Sequence, residues 1–165
     1  MSDVVRFHLS CVPPTTSHHH KKIARVAGFS RLVDKDELVA AKGLLEELLL
    51  QHQIPEPITG PVTLCIEYTW PWRKSALKRD LKLGRVPHTS KPDLSNLTKT
   101  LEDRLKVLRF IEDDNAVVDL HVRKWWGNNP GIDILIAPFN SEPMRSTTVV
   151  EMRTPADLFE LAALE

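Results

Sequence analysis

The sequence predicts a mixed α/β (α+β) domain with the element order β-α-β-α-β-β, a small mixed sheet with two helices packed on it. Three observations carry that reading. Four stretches alternate apolar and polar residues, two stretches repeat leucine at helical spacing, and clusters of Pro, Gly and Asn separate them. The 165 residues hold 22 Lys plus Arg against 22 Asp plus Glu, with 42% hydrophobic content, which is the size and composition of one globular domain with a sizeable core.

Val5, Phe7, Leu9 and Cys11 alternate with Arg6, His8 and Ser10, the pattern of a half-buried strand that Pro13-Pro14 ends. Residues 15–31 show no sustained period and read as a surface loop. Asp34 followed by Glu37 fits a helix start, and Leu38, Ala41, Leu45, Leu48 and Leu49 continue it until Ile54-Pro55. Val62, Leu64, Ile66, Tyr68 and Trp70 make a second strand, which stops at Pro71. Residues 71–91 are long and basic with no clear period, which suggests a functional loop. Leu94, Leu97, Leu101, Leu105 and Leu108 line one face of a second helix beginning near Asp93. Val118, Leu120 and Val122 read as a third strand, and Ile132, Ile134 and Ile136 as a fourth that pairs with it as a hairpin across Gly127-Asn128-Asn129-Pro130-Gly131. Residues 138–165 read as a C-terminal tail, with a short helix possible from Ala156 to Leu164 after Thr154-Pro155.

The balanced charge is unevenly placed. From Arg73 to Lys91, seven basic residues face Asp80 alone, a net +6; from Glu102 to Asp119, six acids face three bases, a net −3. Cys11 and Cys65 lie in alternating apolar stretches without metal-ligand spacing, so they read as small core residues of a reducing compartment, and a structural zinc is not expected. No apolar run of about 18 residues exists, and Met1-Ser2-Asp3 lacks a signal-peptide start; the expectation is a cytoplasmic protein without membrane insertion.

Chemistry concentrates in Lys91-Pro92-Asp93-Leu94-Ser95-Asn96-Leu97-Thr98-Lys99 and in Glu112-Asp113-Asp114-Asn115. A helix running back along the sheet could bring Asp93 toward Asp113 and Asp114, and crowded carboxylates repel unless a hard cation such as Mg²⁺ lies between them. Such a cation activates water and steadies a phosphoryl oxyanion. The bland alternatives are that Asp93 caps the helix and that Asp113-Asp114-Asn115 makes a polar turn.

KPDLSNLTKTLEDRL (91–105), IEDDNAVVDLHVRKWWG (111–127) and PGIDILI (130–136) together resemble the RusA family of Holliday junction resolvases, metal-dependent endonucleases common on phage and prophage genomes. The resemblance spans about residues 4–137, is specific over 91–136, and implies a RusA-like domain over 1–137. It implies that Asp93 and Asp114 bind metal with Asp113 beside them, and that Lys99 is the catalytic lysine. The implied cofactor is Mg²⁺, with Mn²⁺ able to substitute and no small-molecule cofactor. Ser95 stands where the family more often has a second helix-start aspartate. Glu102 lies on the same side of the helix as Ser95 and Lys99 and could supply the lost carboxylate, although two turns, roughly 10 Å, separate it from Ser95. Asp103 matches an acidic position of the family.

The resemblance also implies a two-fold homodimer presenting matched sites to branched DNA. Arg73, Lys74, Lys78, Arg79, Lys82, Arg85, His88 and Lys91 would track phosphates, joined by Lys21, Lys22 and Arg25. His18-His19-His20 cannot all face one ion from adjacent loop positions and read as phosphate contacts too. Trp125-Trp126 read as packing residues rather than a base-stacking platform. The reading is a structure-selective endonuclease resolving four-way junctions. Its rivals are a junction-binding protein of the same fold that cuts poorly because of Ser95, and an unrelated RNA-binding or packing domain sharing only a turn and a cap.

Overall fold

A computed structural model describes residues 4–16, 21–26 and 29–139. The first strand, β1 (Val5–Leu9), is followed by β2 (Lys21–Val26), β3 (Phe29–Asp34), α1 (Asp36–Leu50) and β4 (Val62–Pro71). Then come α2 (Lys78–Lys82), β5 (Arg85–Pro87), α3 (Leu94–Val107), a 3-10 turn (Asp114–Ala116), β6 (Val117–Gly127) and β7 (Gly131–Pro138). Helices and strands mix as predicted, within one five-stranded sheet ordered β1-β7-β4-β6-β5 and a separate two-stranded ribbon of β2 and β3. His18-His19-His20 and the possible helix at Ala156 to Leu164 lie outside the described residues.

β4 is central because its sequence demands burial. Val62, Leu64, Ile66, Tyr68 and Trp70 are all buried on one face, and both backbone edges are paired: β6 runs parallel on one side and β7 antiparallel on the other. α3 makes the crossover that a parallel pair requires. Its Leu97, Leu101 and Leu105 join Leu45 and Leu49 of α1, the β4 side chains, Phe110, Ile111 and the isoleucines of β7 in one core. An ion pair between Arg104 of α3 and Glu46 of α1 ties the two helices.

Four expectations are corrected. The hairpin expected between the third and fourth strands does not form, because β4 lies between β6 and β7. The Gly127-to-Gly131 segment therefore passes over the end of β4, where Trp72 Nε1 donates to Asn128 Oδ1 at 2.6 Å. Alternation marked both strands correctly, but only the burial demand of β4 decides what pairs with what. The loop expected over 15–31 contains most of the β2–β3 ribbon, and the basic loop over 71–91 contains α2 and β5. The first helix starts two residues after Asp34, which ends β3 and accepts from Lys42 Nζ at 2.6 Å instead of capping.

The end of α3 is a Schellman turn: Phe110 N–H donates to Leu105 O at 2.9 Å and Arg109 N–H to Lys106 O at 3.0 Å. Arg109 holds the left-handed conformation that this turn needs, with φ 60°, and the turn aims the chain at Asp113 and Asp114. A side chain in that region costs about 1 kcal/mol relative to glycine. Arg109→Gly should therefore raise the melting temperature by about 2–4 °C; an unchanged or lower melting temperature would show that the turn is unstrained.

Candidate active site

α3 and the 3-10 turn after it build a compact charged cluster. Lys99, Asp103 and Lys106 fall on one stripe of the helix, because residues four and three apart share a face. Asp113 caps the turn, its Oδ1 accepting from Asn115 N at 3.0 Å, and Asp114 is the first residue inside it. Lys99 Nζ donates to Asp114 Oδ2 at 2.6 Å and lies 3.4 Å from Asp103 Oδ1. Lys106 Nζ donates to Asp113 Oδ2 at 2.9 Å and to Asp114 Oδ1 at 3.2 Å. Both oxygens of Asp114 are thus held by ammonium groups.

The electrostatics follow from this geometry. The Lys99 ammonium, then the Asp113 and Lys106 contacts, hold the Asp114 carboxyl far below the usual carboxylate range. Its bond to Asp114 pushes the Lys99 ammonium up in return. Burial raises Glu102, and the charge on Lys99 partly offsets that rise. Glu102 therefore lies within electrostatic reach of Asp114 and Lys99, and its burial works against ionisation.

At the other end of α3, Asp93 occupies the N-cap position, yet its side chain makes no capping bond and is exposed. The capping alternative is therefore not what this carboxylate does, whereas the polar-turn alternative does describe Asp113. Lys99 stands six residues further along, roughly 9 Å down the helix axis. Ser95 is exposed.

Oxygen donors of this kind suit a hard divalent cation. Among the described residues, however, no three His, Cys, Asp or Glu side chains stand close enough to share one ion. The chemistry of Asp93, Asp113, Asp114 and Glu102 fits the expected metal, but their arrangement requires a lysine to release an Asp114 oxygen before an ion can bind there.

The segment leading to Asp93 is fixed by two groups that sequence reasoning assigned elsewhere or missed. Lys124 Nζ donates to Ser90 O at 2.5 Å and Pro92 O at 2.7 Å, clamping the chain on either side of Lys91. His88 was expected on the phosphate-facing surface, but it is only 4% exposed, stacked on Trp126 at 4.0 Å and beside Trp70 at 4.7 Å. The two tryptophan rings enclose the imidazole. Trp126 is packed as expected; Trp125 lies beneath the Arg85 guanidinium, 4.6 Å from its ring centroid. A signal for Lys124 existed: it interrupts the apolar alternation Leu120, Val122, Trp126 of β6. The signal for Lys106 was its place two turns beyond Lys99.

Of the expected phosphate contacts, Arg73, Lys74, Lys78, Arg79, Lys82, Arg85 and Lys91 are exposed on or around α2 and β5, as are Lys21 and Lys22 on β2. Arg85 is engaged with Glu67 at 2.9 Å, and Arg79 lies 3.6 Å from Asp80. Among the described residues, Arg73, Lys74, Lys78, Lys82 and Lys91 form no ion pair.

Residues 12–137 match the family described as endodeoxyribonuclease RusA, which is most of the chain. The chain belongs to the RusA family. A relative in Bacillus subtilis (strain 168), the uncharacterized protein YqaN, is 34% identical over 91 residues, covering 52% of this chain and 63% of that protein. The chain thus spans somewhat less than two thirds of the length of that relative. The matched region of the RusA family contains α3, the 3-10 turn, β6 and the basic arm. No helix among the described residues is long and apolar enough to cross a membrane.

Two outcomes test this construction. Lys124→Met leaves the Ser90 and Pro92 carbonyls without their donor and should cost about 1–3 kcal/mol in a urea melt; a neutral result would show that the clamp holds nothing. Burial, and next the nearby Lys124 charge, lowers the pKa of His88 below its ordinary 6.5. The unfolded chain then binds the extra proton first, so stability is full above about pH 6.5 and falls as the pH drops below it. Melting temperatures from pH 7.5 to 5.5 should fall more steeply for the wild type than for His88→Phe, and parallel curves would contradict this placement of His88.

Proposed function

We propose that this chain is a structure-selective endodeoxyribonuclease that resolves four-way DNA junctions, acting as a homodimer with a divalent cation, Mg²⁺ or Mn²⁺. The observation that carries the reading is the Lys99–Asp114 pair on α3 and the turn that follows it, in a chain of the RusA family. A junction has near two-fold symmetry and needs two matched nicks, which favours two copies of one site. The exposed cations of residues 73–91 supply phosphate contacts that carry no sequence information, as a structure-selective enzyme requires.

Asp93 and Asp114 would hold the cation, with Asp113 and Glu102 as further carboxylates. A bound cation supplies polarisation of the phosphate and activation of water. The remaining work belongs to the chain. Asp114 stays ionised at every pH of interest, so it offers a full negative charge. Lys99, once it yields an Asp114 oxygen, carries a mobile ammonium on a rigid helix and can neutralise charge that develops on the scissile phosphate. Lys106 keeps Asp113 and Asp114 in place while Lys99 moves. Lys124 and the buried His88 fix the approach to Asp93, so that both ends of α3 present their carboxylates from ordered backbone.

A specific observation favours one second reading. Ser95 offers no carboxylate, and Asp114 is fully engaged by lysines, which is the arrangement of a protein that binds junctions but cuts them slowly.

The test is nicking of a labelled four-way junction beside a linear duplex, with Mg²⁺, Mn²⁺ or EDTA. Paired symmetric cuts that need the cation are expected, and they should fall by roughly 10²–10³-fold in Asp114→Asn and in Lys99→Met. Cuts that persist in EDTA or in Asp114→Asn would refute the assignment. Tight junction binding without cuts, restored to cutting by Ser95→Asp, would establish the second reading.

A further inference from the structure

The β2–β3 ribbon stands apart from the core. Neither strand joins the five-stranded sheet, and both faces of the ribbon expose apolar side chains. Ile23 and Leu32 are direct cross-strand partners, 75% and 68% exposed on one face, while Phe29 is 70% exposed on the other. An isolated two-stranded hairpin is marginal in water. Among the described residues its side-chain hydrogen bonds lie near its base, where Asp34 accepts from Lys42 and Asp36, at the start of α1, accepts from Lys22 at 3.1 Å.

Its charge has one sign. Between Lys21 and Val33 the sequence holds Lys21, Lys22, Arg25 and Arg31 and no acid. The cations flank the apolar pair on both faces: Lys21 and Arg25 share the face of Ile23, and Lys22 and Arg31 lie on the opposite one. Among the described residues Lys21, Arg25 and Arg31 form no ion pair.

A ribbon two strands wide, basic on both faces and apolar at its middle, matches the major groove of a duplex, which is about 12 Å wide and admits a two-stranded ribbon. Phosphates on the groove walls meet the cations, and base edges with their thymine methyl groups meet the apolar pair. We propose that the β2–β3 ribbon is a DNA-engaging arm that lays Ile23 and Leu32 into the groove of a duplex arm of the substrate, with Lys21, Lys22, Arg25 and Arg31 on the phosphates. The inference rests on the branched-DNA reading above and adds a second binding surface, on a sheet separate from the one that carries β6, that grips an intact duplex arm.

The test is fluorescence anisotropy of the full chain with a labelled four-way junction and a linear duplex, over a salt series from about 50 to 200 mM. Lys21→Ala/Arg25→Ala/Arg31→Ala should weaken binding to both and reduce the slope of log affinity against log salt by about 3, near one for each phosphate no longer neutralised. Ile23→Ser/Leu32→Ser should weaken binding about tenfold with the slope unchanged, because no cation is removed. All the substituted side chains are exposed, so both variants should melt with the wild type. Variants that bind both DNAs as the wild type does would overturn the arm while leaving the branched-DNA reading intact. A wild-type dimer that Ile23→Ser/Leu32→Ser converts to a monomer would also overturn it, assigning the apolar pair to a second copy of the chain. Wild-type protein that binds neither DNA at low salt would sink the branched-DNA reading itself, and the arm with it.

Discussion

The burial of β4 constrains everything else. Five of its side chains are shielded on one face, so helices must cover that face, and its backbone groups on both edges need partners. A parallel neighbour on one side requires a crossover, and α3 is that crossover. One helix therefore begins near the far end of β4 and returns the chain to the start of β6. The placement of Asp93 at one end of α3 and Asp114 just past the other is a by-product of how the central strand satisfies its hydrogen bonds. Lys99 sits between them because a helix of 14 residues has its middle there.

Charge is organised around that helix rather than spread evenly. Seven of the 22 acids lie between Asp93 and Asp119, and eleven of the 22 bases lie on two other elements, the arm of residues 73–91 and the β2–β3 ribbon. At close range the acids are neutralised locally by Lys99 and Lys106, which lets Asp103, Asp113 and Asp114 share a small volume. At longer range the outlying bases remain available to a polyanion. The same chain thus presents one acidic locus and two basic ones, and total charge says nothing about any of them.

Sequence reasoning reached the elements whose signal is local. The alternation of β4, the leucine stripe of α3 and the breakers at Pro13-Pro14 and Pro71 each state in a few residues what the backbone does there. It failed where the answer depends on something distant. The strand at Ile132 to Ile136 alternates equally well beside either neighbour, and only the unpaired edge of β4 decides between them. The ribbon was missed because Ile23 and Leu32 face solvent, so no inward-outward contrast marks its strands. In the site, Asp93, Asp113 and Asp114 stood out through their spacing, and Lys99 through the resemblance to the RusA family. Lys124 and His88 did not, since a lysine that clamps carbonyls and a histidine between two tryptophans look in sequence like an ordinary surface base and a loop residue.

The strand order has a kinetic meaning. Among the described residues β7, the last strand of the sheet, inserts between β1, the first, and β4, the central one. Until residues near 138 are available, β4 has an open apolar-backed edge and β1 has no sheet to join, so the first and last parts of the domain must meet before either is secure. Pairings of such sequence separation make for slow, late closure. A growing chain that has passed β6 can dock its helices but not complete its sheet, and in that interval the vacant place beside β4 is the site most exposed to pairing with another chain.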